Sequence, residues 1–152
     1  MTTPRPAQPA GPVPPPATGG TGGRPRWDVV AVVALGGALG ALARYGISVG
    51  WPHPRHGFPW STLVINLAGC ALIGVLMQLI STRIAPHRLV RPFFGTGVLG
   101  GFTTFSTYTV EIRDLLGAGR TGVALGYLFG TVAGALLAVA LGAWTAERFR
   151  PS

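Results

Sequence analysis

The sequence predicts an all-α membrane protein of four transmembrane helices, the third of them broken. Three observations carry this expectation. Four apolar runs each approach the ~20 residues that cross a bilayer core. Only 11% of the 152 residues are charged while 48% are hydrophobic, too few charges for a soluble surface of this size. A Gly-rich stretch followed by clustered hydroxyl side chains then falls inside the third apolar run, where a regular helix is hard to continue.

The chain divides into a tail, residues 1–26, and a membrane region, residues 27–150. The tail holds eight of the fourteen prolines and no apolar run, so it is expected to be disordered. It also lacks the apolar stretch of a signal peptide, and the first span is expected to stay as its own anchor. The net charge of +8 forms no single basic face interleaved with aromatics, which argues against nucleic acid and for anionic lipid headgroups as the partner. The single cysteine, Cys70, lies in an apolar run and excludes an intrachain disulfide.

The expected spans are Trp27–Val49, Ser61–Ile80, Phe93–Val110 and Thr121–Trp144. Trp27, Trp51, Trp60 and Trp144 fall near span ends, as an interfacial aromatic belt would place them. In the first span Gly36 and Gly40 have GxxxG spacing, and Arg44 follows on the same stripe. Arg44 has two readings: an interfacial anchor beside a packing groove, or a positive charge at a vestibule mouth. On the second span Thr62, Asn66, Cys70, Gly74 and Gln78 share one face. Asn66 is either an interhelical clamp or a pore-lining amide donor.

The third span turns from Gly95–Gly101 into Thr103, Thr104, Phe105, Ser106, Thr107, Tyr108 and Thr109. Unwound backbone at membrane depth is tolerated where it is buried in protein or lines a wet cavity, so this stretch marks an ion or solute site. Its GxGxxG has no preceding strand, no βαβ context and no acidic residue within the membrane span, and is set aside. On the fourth span Gly126, Gly130, Gly134, Ala138 and Gly142 form a packing stripe, with Tyr127 and Thr131 as a polar line beside it.

Three of these stretches carry a resemblance. Gly36 to Tyr45 (GGALGALARY), Ser61 to Gly69 (STLVINLAG) and Gly97 to Tyr108 (GVLGGFTTFSTY) resemble the signature blocks of the Fluc (CrcB) fluoride channel family. The resemblance implies a passive fluoride channel in the cell membrane that lowers cytoplasmic fluoride. It implies an antiparallel dimer with two pores and a structural sodium ion held by backbone carbonyls of the third helices. Carried onto this chain, the sodium carbonyls are those of Gly100 and Thr103, and Asn66 and Phe105 line the pore. Ser106, Thr107, Tyr127 and Thr131 join as polar groups along the path. The chain departs from the family at Tyr108, where a second phenylalanine is usual, and at Cys70, where serine is commoner.

Fluoride is small and strongly hydrated, so a pore must replace its water with donors, and the Asn66 amide, the Ser106 and Thr107 hydroxyls and aromatic ring edges supply them. Asp28, Glu111, Asp114 and Glu147 are expected at or beyond span ends. That placement argues against the alternative, a small proton-coupled multidrug exporter, which needs an intramembrane carboxylate. No nucleophile, base and orienting group stand together, so an enzyme is not expected.

Arg5, Arg24, Arg26, Arg83, Arg88, Arg91, Arg148 and Arg150 fall on the side of the termini, against Arg55, Arg113 and Arg120 on the other, with Arg44 at its border. The positive-inside rule then places the termini in the cytoplasm. A bias of this size suggests one-way insertion and pairing with a related subunit of opposite orientation. A dual-topology homodimer is the alternative.

Overall fold

The computed structural model describes residues 26–54, 56–82 and 87–148. The expected disordered tail, but for Arg26, lies outside the described residues. Within them every regular element is helical: α1 (Trp27–Gly50), α2 (Trp60–Thr82), a π-wound stretch (Arg91–Leu99) running into the short α3 (Gly100–Phe102), α4 (Phe105–Gly117) and α5 (Thr121–Arg148). Trp27–Gly50, Trp60–Ser81 and Thr121–Arg148 are long and apolar enough to cross a membrane. They coincide with three of the four expected spans.

Punctuation in the sequence explains the ends. Pro52 and Pro54 follow α1, since proline lacks the amide a helix needs and biases its predecessor away from helix. Pro59 stands immediately before α2. Gly119 takes φ of 73° after α4, a conformation costly for residues with a side chain, and lets the chain turn into α5. At the other end of the bundle Arg88 pairs with Asp28, tying the turn before the π-wound stretch to the first turn of α1.

Two helix pairs organise the bundle, α1 against the π-wound stretch with α3, and α2 against α5. Both are backbone-on-backbone contacts. A Cβ added to Gly40 would collide with the Val98 carbonyl, and one on Gly101 with the Gly37 carbonyl. Gly74 and Gly142 are seated in the same way against Val139 and Ala71. Without a hydrophobic drive between helices in lipid, such close van der Waals approach is what holds them. The stripe expected on the last span is only partly used inside the subunit: Gly134 and Gly142 pack, whereas Gly126 and Gly130 meet nothing within 4 Å. Tyr108, Leu115, Ala124 and Tyr127 form a buried core between α4 and α5, with Phe58 and Leu63 packed against it.

Candidate functional site

Thr103 and Thr104 are extended, with φ/ψ of −75°/158° and −145°/122°, between helical segments ending at Phe102 and starting at Phe105. Side chains satisfy the backbone there. Thr104 Oγ1 accepts from Thr107 N at 3.2 Å as the cap of α4, and donates to Thr107 Oγ1 at 3.0 Å. The Thr104 amide donates to Asn66 Oδ1 at 2.8 Å, and Asn66 Nδ2 donates to the Thr104 carbonyl at 3.0 Å. A continuous helix would have sent that amide to the Gly100 carbonyl, four residues back. Diverting it leaves the Gly100 carbonyl outside the ladder. The Thr103 carbonyl precedes the start of α4 and is likewise not drawn into it. Thr103 N and Oγ1 both donate to the Leu99 carbonyl, at 3.0 Å each.

Arg44 donates from Nε to the Gly101 carbonyl at 3.2 Å, so its guanidinium is fastened to the last helical turn before the extended pair. Among the described residues no three His, Cys, Asp or Glu side chains converge on a metal-sized site. A hard cation held here would therefore rest on carbonyl oxygen, the donor type that suits sodium and its neighbours. The two freed carbonyls fit that requirement.

A cavity of about 250 Å³ opens beside the extended pair, lined by Asn66, Thr103, Thr104, Phe105, Tyr108 and Thr131. Four expected site residues, Asn66, Phe105, Tyr108 and Thr131, thus meet at one place with Thr103 at its edge. Thr131 is buried and its Oγ1 has no hydrogen-bond partner. Tyr108 is 5% exposed and donates its hydroxyl to the Leu128 carbonyl at 2.8 Å, whereas Phe105 is 78% exposed. Their rings lie 5.9 Å apart, and Tyr108 makes an edge contact with Tyr127 at 5.1 Å. Ser106 faces outward, 3.4 Å from Thr104 Oγ1, and Thr107 is half-buried. Gly100 is exposed on the face that a second cavity of about 230 Å³ shares with Thr103 and Gly69.

Glu111 corrects the sequence reading. It was expected at or beyond a span end, but α4 continues to Gly117 and carries Glu111 into the bundle, its side chain 13% exposed. Thr62 Oγ1 donates to Glu111 Oε1 and Tyr127 OH to Oε2, each at 2.7 Å. His53 Nε2 lies 3.6 Å from Oε1. Tyr127 is fully buried and its hydroxyl is committed to this carboxylate. The signal was available: Tyr108, Glu111 and Leu115 recur at three and four residues, one face of a helix, and both flanking members are buried. A hydropathy window stops at the charge, but the amphipathic period does not.

Helices of membrane-crossing length, packed through glycine and bordering an open groove in which amide and hydroxyl groups are set among aromatic and apolar ones, define a multi-pass membrane protein. Residues 31–143 match the family described as CrcB-like protein, Camphor Resistance (CrcB). The chain belongs to the CrcB family. It is 55% identical over 148 residues to a fluoride-specific ion channel (FluC 1) of Streptomyces coelicolor, covering 97% of this chain and 96% of that one. A fluoride-specific ion channel (FluC 2) of Nocardia farcinica is 55% identical over 119 residues, 78% of this chain and 85% of the relative. One from Thermobifida fusca (FluC 2) is 50% identical over 117 residues, 77% and 87% of the two chains.

Proposed function

We propose that this chain is the subunit of a fluoride channel that lets the anion leave the cytoplasm passively. The observation that carries the reading is the buried, unpartnered Thr131 Oγ1 on a cavity whose lining holds no charge. A buried hydroxyl without a partner is costly, and a dehydrated anion is an acceptor that relieves it. The second Nδ2 hydrogen of Asn66 and the positive ring edges of Phe105 and Tyr108, on the same lining, supplement it, whereas Ser106 and Thr107 lie outside that lining. The relatives' names supply the ion.

Tyr108, on the lining of the cavity, packs against Tyr127, whose hydroxyl meets Glu111 beside the connection between α1 and α2, and this line of contacts is read as the course of the path. With Glu111 inside the bundle, a missing carboxylate no longer separates a channel from a proton-coupled exporter. The relatives do, being named fluoride-specific ion channels, and the cavity lining itself holds no carboxylate for a cationic drug to meet.

The helices before and after Thr103 and Thr104 are read as halves of one interrupted span. Gly100 and Thr103 carbonyls would hold a structural sodium ion, which would supply a fixed positive charge joining two third helices. The exposed Gly100 and Phe105 support assembly through that face, as an antiparallel dimer in the cell membrane with anionic lipid around it. The arginine bias supports cytoplasmic termini and a related partner subunit of opposite orientation.

Efflux from liposomes containing the purified chain, followed with fluoride and then chloride electrodes, tests the reading. Where the chain conducts, alone or with a related subunit of opposite orientation, fluoride is expected to leave and chloride to stay. Equal loss of both would end the fluoride assignment. Conduction by the chain alone would remove the need for an unlike partner, and replacing sodium by a large organic cation is expected to abolish activity.

A further inference from the structure

We infer that His53 supplies the counter-charge to Glu111 at the end of the anion path, so that fluoride passage quickens when the imidazole carries a proton. The inference rests on the fluoride reading above. Glu111 poses a problem for any such path, because a carboxylate beside it in a poorly screened setting repels the anion. Its donors, Thr62 and Tyr127, are neutral and do not cancel its field.

His53 is placed to do so. It sits on the connection between α1 and α2 with a half-buried ring, Nε2 3.6 Å from Glu111 Oε1 and Nδ1 3.4 Å from Ser61 Oγ. The serine hydroxyl donates to a bare Nδ1 or accepts from a protonated one, so the ring keeps its place in either charge state. From α2 the facing groups are the neutral hydroxyls of Ser61 and Thr62, from α4 Glu111, and from α5 Tyr127 by way of Glu111. The other charges at this end are otherwise engaged: Arg113 is paired with Asp114, and Arg120 donates to the His56 carbonyl. His56 itself is exposed, beside Arg113 and Asp114 on an open cavity of about 590 Å³. Among the described residues His53 is the cation-forming side chain within ion-pair distance of Glu111.

An arginine in this position would neutralise Glu111 at every pH. Histidine makes the neutralisation conditional, because its charge changes across the neutral range. Fluoride stays almost wholly ionised over the same range, so the change falls on the protein.

The test is fluoride efflux from liposomes carrying the full chain at about pH 7.5 and about pH 5.5, spanning the histidine range. Protein-free vesicles are subtracted at each pH, because HF crosses lipid unaided. Wild type is expected to run several-fold faster at the lower pH, His53→Gln to show no acceleration, and His53→Arg to be independent of pH. Wild type without acceleration, or His53→Gln that keeps it, overturns the inference. Infrared difference spectra supply an arm that needs no fluoride, with the Glu111 carboxylate stretch assigned through Glu111→Gln. That band is expected to shift between the two pH values in wild type and to stand still in His53→Gln. A stationary band in wild type, or its replacement by a protonated carboxyl band, overturns the pairing. A chain that conducts no fluoride at either pH, alone or together with a related subunit of opposite orientation, but shows the shift refutes the fluoride reading and leaves the ion pair supported.

Discussion

Asn66 and Thr104 exchange two hydrogen bonds, Thr104 N to Asn66 Oδ1 at 2.8 Å and Asn66 Nδ2 to Thr104 O at 3.0 Å, so one side chain stands in for a strand partner. The two readings of Asn66, clamp and pore donor, are therefore not exclusive. Asn66→Leu strips both partners from a buried backbone amide and carbonyl, at about 1–3 kcal/mol for each group left unsatisfied. The variant is expected to lose fluoride efflux and to unfold at a lower temperature. An N66L protein as heat-stable as wild type would remove the clamp from the account.

Neighbouring glycines separate subunit folding from assembly. Gly101→Ala drives a Cβ into the Gly37 carbonyl, whereas Gly100 has open space around it. Gly101→Ala is expected to destabilise the single subunit, by roughly the 1–3 kcal/mol of an overpacked core. Gly100→Val is expected to leave the subunit folded and to weaken its dimer and its response to sodium. Thermal unfolding and size-exclusion chromatography in detergent read the two effects, and loss of subunit stability in Gly100→Val would count against the proposed interface.

Thr131→Val should move stability and function in opposite directions. Removing an unpartnered buried hydroxyl is neutral or stabilising, by up to about 1 kcal/mol, while the path loses a donor. Slower efflux from a protein at least as heat-stable as wild type is the expected pair of results. Unchanged efflux would take Thr131 off the path.

At the aromatic pair, Tyr108→Phe removes a hydroxyl that donates to the Leu128 carbonyl and keeps the ring. It is expected to cost about 1 kcal/mol of stability and to leave efflux in place. Phe105→Ile keeps apolar bulk but loses the positive ring edge, and efflux is expected to fall. If Tyr108→Phe abolished efflux, its hydroxyl would have to be counted among the donors.

Much of the fold was legible because long apolar helices announce themselves. The expected Trp27–Val49, Ser61–Ile80 and Thr121–Trp144 became α1, α2 and α5 with ends shifted by a few residues. The expected Phe93–Val110 fell short, because Glu111, Arg113 and Asp114 end a hydropathy run although α4 continues to Gly117. Local composition also marked the hydroxyl cluster. What it could not reveal were pairings set by how helices stand against one another. Asn66 meets Thr104 across 38 positions, Thr62 meets Glu111 across 49, and His53 reaches Glu111 from a connection.

Phe105 and Tyr108 line one cavity, yet the subunit encloses only the tyrosine. On the dimer reading, a defect at Tyr108 stays with the chain that carries it, while Phe105 is lent across the interface to its neighbour. Damage there is therefore displaced to the neighbour. Where the chain pairs with its own copies, F105I and Tyr108 lesions are each expected to cost a mixed dimer one of its two pores, the first in the normal neighbour and the second in the altered chain itself.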